Sequence, residues 1–188
     1  TGMKHSFLSL GVIFIYLTMA SCTERQKVKT MMMDFMKTEI MIPDDLECIC
    51  KREMKTIALD SLKESLFIIY YDSLDCSSCR IGHLAESYPL YEMADTCGFS
   101  LLTIFSPRMD DLKEVRLQLM MTNSPVPIYL DVNGSFRKRN SSIPSDLRFH
   151  KFFVSPDSHP AFVGDALASD NLYELFRKVL DQSNIITN

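Results

Sequence analysis

Cys76 and Cys79, with only Ser77 and Ser78 between them, are the residues of this chain best suited to do chemistry. They follow the run Leu66-Phe67-Ile68-Ile69-Tyr70-Tyr71, whose β-branched and aromatic residues fit a buried strand. From Ser77 onward Ile81, Leu84 and Ala85 recur at helical spacing. This pattern predicts a strand, a short loop and a helix, with Cys76 near the helix start and Cys79 one turn further in. Unpaired amides and the helix dipole favour a thiolate there and lower its pKa. A thiolate with a second thiol in reach can cycle between dithiol and disulfide through a mixed disulfide with a substrate.

The surrounding charges temper that nucleophile. Asp72 and Asp75 precede the cysteines and oppose the helix dipole, while Arg80 can offset them. A thiol of modest acidity follows, suited to reducing or isomerising disulfides more than to strong oxidation. Cys48 and Cys50 bring the local thiol count to four, the number a structural zinc site needs, but their spacing is tight and an oxidising compartment favours disulfides. They are expected to be partly buried, or one of them to pair with Cys97. The methionines Met31, Met32, Met33 and Met36 lack an accompanying His or Cys and read as packing residues. No metal and no organic cofactor is therefore expected. His83 reads as a solvent-facing helix residue, and His150 and His159 as turn or surface residues.

The elements that must position these residues can be read along the chain. Residues 35–45 fit an edge element ended by Pro43, followed by Cys48-Ile49-Cys50. Pro89 should kink or break the cysteine-bearing helix, and Gly98 should stop its continuation. Phe99 to Phe105 forms a second strand, and Ser106-Pro107 opens a helix with Leu112, Val115 and Leu119 on its inner face. Ile128 to Val132 forms a third strand, closed by Asn133-Gly134 and followed by a polar stretch to Asp146. Phe152-Phe153-Val154 and Ala161-Phe162-Val163 read as a hairpin. Leu172, Leu175, Phe176, Val179 and Leu180 mark the inner face of a last helix capped by Ser169 or Asp170. The early alternation predicts an α/β fold with a mixed central sheet and helices on both faces.

The 188 residues carry a formal net charge of -4, which argues against a nucleic-acid partner. Phe7 to Met19 is an apolar run closed by Ala20-Ser21-Cys22. It resembles a bacterial lipoprotein signal, which implies lipid on Cys22 and a tether to the membrane. The expected divisions are residues 1–21 as upstream residues and signal, 22–45 as tether and extension, 46–182 as the domain and 183–188 as a tail. With Cys22 set aside, five of the six cysteines remain, so at least one thiol should be free or intermolecular.

The element order, with Cys-x-x-Cys at a strand–helix junction, resembles the thioredoxin-like superfamily. It is closest in kind to the larger secreted redoxins and to the lipid-anchored members common in Bacteroidetes. The resemblance implies a three-layer sandwich, with Cys76 as the exposed attacking cysteine and Cys79 as the buried resolving one. It implies partners that are disulfide-containing envelope proteins or a thiol reductant, and a periplasm-facing location, on the outer membrane more than the inner. Ser77 and Ser78 would help dock substrate. The superfamily also sets a cis-proline beside the cysteines; one alignment puts Pro127 there, and a longer one puts His150-Lys151 there with no proline. Tyr70 stands where thioredoxin keeps a buried carboxylate. Ser73-Leu74-Asp75-Cys76 partly matches the peroxiredoxin pattern, with Ile69 in place of its proline, so a thiol peroxidase is an alternative. A non-catalytic binding module is another.

Overall fold

The computed structural model describes residues 24–75 and 77–186. A first helix, α1, runs through residues 24–35. The strands are β1 (Glu47–Cys50), β2 (Glu53–Thr56), β3 (Leu66–Tyr71), β4 (Ser100–Phe105), β5 (Ile128–Leu130), β6 (Lys151–Val154) and β7 (Pro160–Val163). The remaining helices are α2 (Ser77–Gly82), α3 (Tyr88–Cys97), α4 (Leu112–Met121), α5 (Ser135–Arg139) and α6 (Asp170–Ile186).

One sheet carries the fold, in the order β2-β1-β5-β4-β3-β6-β7. The strands β3, β4 and β5 run parallel to one another, while β1 with β2 and β6 with β7 form antiparallel margins. Side chains alternate across a strand, so each strand feeds two cores. Phe67, Ile69, Leu101 and Phe153 pack against Leu90 of α3 and Phe176 and Leu180 of α6. On the same face, Ile49, Phe105 and Leu130 pack against Ile81 of α2 and Val115 and Leu119 of α4. The opposite face joins Ile68, Tyr70, Leu102 and Phe152 to Phe35 of α1, Phe136 of α5 and Phe149. Helices thus cover both faces of a mixed sheet, as the alternation of elements predicts.

Several local expectations are corrected. The cysteine-bearing helix ends at Gly82, and a 3-10 turn (Leu84–Ser87) follows. Pro89 does not kink a helix; it sits in the first turn of α3, where its missing N–H costs nothing. Gly98 does end α3, at a left-handed φ of 81° that glycine adopts without strain. No strand forms over residues 35–45; Phe35, at the end of α1, and Ile40 are buried, so the extension before residue 46 contributes to the core. The helix expected from Ser106-Pro107 begins later, at Leu112. The sheet ends on one side at β2, exposed along its whole length, and on the other at β7, whose first residue is Pro160. At α6 the Ser169 hydroxyl accepts a hydrogen bond from the Leu172 amide, and the helix continues past the expected boundary at 182.

Candidate functional site

Strand β3 ends at Tyr71, and α2 begins at Ser77, five residues intervening. The turn between them is built by Asp72. Its carboxylate accepts from the Leu74 amide at 2.7 Å, and its carbonyl accepts from the Asp75 amide at 3.1 Å. An Asx turn of this kind makes a sharp exit from a strand. Asp72 is 2% exposed and is paired with the Arg137 guanidinium of α5 at 2.8 Å. The Asp75 side chain is equally buried and lies 3.4 Å from the Arg80 guanidinium, which also stacks over the Tyr71 ring at 5.7 Å. Both acids expected near the cysteines are therefore present at the site, and both are ion-paired. Arg80 points at one of them, which the sequence left open.

Cys79 stands in α2, is exposed, and is held in a disulfide. The resemblance implied a buried cysteine at this place; Cys79, the third residue of α2, is exposed instead. Cys76 and Cys22 lie outside the described residues. Ser78 is exposed and lines a groove of about 510 Å³ with Ser73, Leu74, Asp75, Arg108 and Asp111; Ser77 occupies the first position of α2.

Pro127 does not belong to this site. It precedes β5, and β5 runs parallel to β4 and β3. The start of β5 therefore faces the end of the sheet opposite the one where β3 delivers the cysteines. Among the described residues no peptide bond is cis. The residue that enters β6 beside β3 is His150, and its carbonyl accepts from the Tyr70 amide at 2.8 Å. This is the place named by the longer alignment.

His150 is the functional candidate that the sequence hid. It is 4% exposed, not a surface residue, and packs against the Tyr70 ring at 5.3 Å. Its Nε2 lies 3.0 Å from the Pro144 carbonyl, and its Nδ1 lies 3.9 Å from Asp75 Oδ2. Neither Nδ1 nor the Tyr70 hydroxyl has a hydrogen-bond partner among the described residues. Burial pushes the Tyr70 and Tyr71 phenols up, so both remain neutral. His150 and Tyr70 separate two cavities, one of about 340 Å³ toward Arg137 and Ser141 and one of about 390 Å³ toward Arg80 and Lys151. No sequence signal of apolar periodicity marks His150; its burial follows from strand order alone.

The other cysteines lie elsewhere. Cys48, Cys50 and Cys97 are free thiols and partly buried, so the expected alternative of a bridge to Cys97 is not realised. Cys50 leans on the Pro125 carbonyl at 3.6 Å, near the start of β5. Burial pushes the Cys48 thiol up. His83 is exposed, as expected, but lies in the turn after α2 instead of on a helix, bonded to Glu86; His159 is bonded within its turn, as expected.

No protein-family profile matches the chain, and no curated protein matches it. Similar solved structures include one assigned as the thiol:disulfide interchange protein DsbE from Chlorobium tepidum, at a TM-score of 0.48 and 10% identity, covering 77% of this chain and 99% of that one. The thioredoxin domain of a thiol-disulfide oxidoreductase from Bacteroides vulgatus gives a TM-score of 0.47 and 14% identity, covering 76% of this chain and 98% of that one. AhpC from Enterococcus faecalis gives 0.45 and 14%, covering 82% of this chain and 95% of that one. These likenesses assign the chain to no family; its own sheet and helices make it an α/β protein.

Proposed function

We propose that this chain is a thiol–disulfide oxidoreductase whose working couple is Cys76 and Cys79. The observation that carries the reading is a disulfide at Cys79, exposed on the helix that directly follows the parallel strand β3. In the proposed cycle the Cys76 thiolate attacks a substrate disulfide. A new S–S bond joins Cys76 to the substrate, and the other substrate sulfur leaves as a thiolate. The Cys79 thiolate then attacks the Cys76 sulfur, the second substrate thiolate leaves, and the internal disulfide closes. The substrate gains two electrons and this chain loses two; a thiol reductant outside the protein restores the dithiol. The carboxylates of Asp72 and Asp75 precede the couple and oppose a strongly acidic thiol, partly offset by their ion pairs with Arg137 and Arg80; the proposed direction is reducing or isomerising. Exposed Leu74 and Ser78 beside the groove supply a surface for an extended substrate.

The test is a trap. Cys79→Ser should accumulate mixed disulfides through Cys76, and the unmutated protein should reduce insulin disulfides. Mixed disulfides in Cys76→Ser alone would reverse the two roles, and neither adducts nor insulin reduction would leave a binding module as the better description. Loss of peroxide consumption in Cys76→Ser would favour a thiol peroxidase. We also propose that Cys22 carries lipid and holds the domain in the cell envelope, facing the periplasm. Among the described residues no helix is long and apolar enough to cross a membrane. Incorporation of a palmitate analogue into the full precursor, lost in Cys22→Ser, tests that placement.

A further inference from the structure

We propose that helix α1 docks this domain onto an anionic phospholipid surface, through Arg25, Lys29 and the methionines that follow them. The inference deepens the proposed anchoring at Cys22 and rests on that reading. It begins with the two sides of the helix. Val28, Met31, Met32 and Phe35 pack against the sheet. Arg25, Lys29 and Met33 recur every four residues and are exposed, so they form one outward stripe. Met36 carries the stripe a turn further, its amide bonded to the Met32 carbonyl at 2.9 Å. Met33 is 52% exposed and Met36 37%. Beside the stripe runs a groove of about 480 Å³, with half-buried Val28 and Met32 as its floor and exposed Arg25, Lys29, Arg148 and Glu24 around it. A mainly basic rim over an apolar floor suits a phosphate headgroup and the first methylenes of its chains.

The cations at the start of α1 are left to solvent. Among the described residues Arg25, Lys27 and Lys29 form no ion pair, while Lys37 is taken by Asp34 and Arg148 by Asp146. Charge is also divided between the two faces of the sheet. Residues 24–45 and 133–150, which cover the face under α1, carry eight Lys and Arg against six Asp and Glu. Residues 77–97, 108–121 and 170–186, which cover the other face, carry six against nine. A chain of net charge -4 thus presents its surplus of positive charge on the side of α1. Such cations are drawn to an anionic leaflet once they come within a Debye length of it. Glu24 follows Cys22 by two residues, a reach of at most about 7 Å, so lipid on Cys22 delivers α1 to the headgroup layer.

Docking of this kind orients the domain. The helix α2 packs on the opposite face of the sheet through Ile81. With α1 against the membrane, the exposed Cys79 faces the aqueous compartment, and the disulfides it meets are those of water-borne proteins. Methionine side chains, unbranched and flexible, adapt to an irregular headgroup layer and add apolar contact to what charge supplies.

A lysine footprint of the protein purified from the envelope tests this. The protein is mixed with vesicles of phosphatidylcholine or of phosphatidylglycerol and acetylated briefly, and Lys29 is compared with Lys113, exposed on α4 over the other face. On phosphatidylglycerol the labelling of Lys29 relative to Lys113 should fall about fivefold, the scale of one cation held at an anionic surface. High salt should restore it. Equal ratios on the two lipids would overturn the proposal. Protection that arises without vesicles and grows with protein concentration assigns the face to another copy of the chain and overturns it too. Arg25→Gln combined with Lys27→Gln removes two charges and leaves Lys29 as the reporter, whose protection should drop below about twofold. Undiminished protection in that variant counts against the proposal as well. Neither side chain holds an ion pair among the described residues, so thermal unfolding should be unchanged; should the variant fail to fold, the two lipids compared with the unmutated protein decide alone. Palmitate incorporation with an unmoved footprint keeps the anchor and removes the surface, and a moved footprint without palmitate does the reverse.

Discussion

Arg137 reaches from α5 to the buried carboxylate of Asp72 at 2.8 Å, fastening the short helix to the turn that leaves β3. The guanidinium is half exposed, so the energetic weight lies with the acid. Among the described residues, Arg137→Ala leaves Asp72 with the Leu74 amide as its remaining side-chain partner, at an expected cost of about 1–3 kcal/mol. Urea unfolding at neutral pH reads it, and a change below about 0.5 kcal/mol, the usual scale for a plain surface substitution, would contradict it.

Phe176 and Leu175 are neighbours with opposite surroundings. Phe176 is fully buried, with Phe67 and Phe162 both at 5.2 Å and Phe153 at 5.5 Å, while Leu175 is 49% exposed. Phe176→Ala should destabilise by about 3–5 kcal/mol, the range for removing a buried aromatic side chain. Leu175→Ala should change stability by no more than about 0.5 kcal/mol. Thermal unfolding of the two variants side by side checks the assignment of the inner face of α6.

Hydrogen bonds from the Ser135 hydroxyl and the Asn133 amide hold the Asp45 carboxyl below the usual range. A folded carboxyl that ionises more readily than the unfolded one adds stability above the unfolded value of about 4, and loses it as pH falls through the folded value. Asp45→Asn should therefore show a smaller drop in unfolding temperature between pH 7 and pH 3 than the unmutated protein. An equal drop would remove Asp45 from the acid response.

Burial raises the Cys48 thiol above its ordinary value of 9.0. Alkylation proceeds through the thiolate, so its rate at Cys48 should climb close to tenfold per pH unit up to about pH 9. Peptide mapping after timed iodoacetamide treatment reads the rate, and a plateau below pH 9 would refute the raised value.

The buried strands were legible because β3, β4 and β6 are runs of apolar residues, and α6 because its apolar spacing is regular. What escaped was whatever depends on tertiary placement. The strand β2 is polar and exposed, so no apolar alternation announces it. The helix α5 has five residues and starts after Gly134 in a left-handed conformation, which reads locally as a turn. Pro127 and His150 are equally plausible beside the cysteines until the strand order is known, since only the pairing of β3 with β6 decides between them. The pairing of Arg80 with Asp75 was likewise a matter of side-chain direction, which spacing does not carry.

The two rims of the sheet bear on how this protein meets others. At one rim β2 sets Glu53 and Lys55, bridged at 2.8 Å, where an incoming backbone would have to lose their hydration. At the other, Pro160 withholds an amide from any added ladder. Copies crowded together are thereby discouraged from polymerising through their strands, and encounters are left to the helical and loop surfaces, among them the one bearing the bridged cysteine.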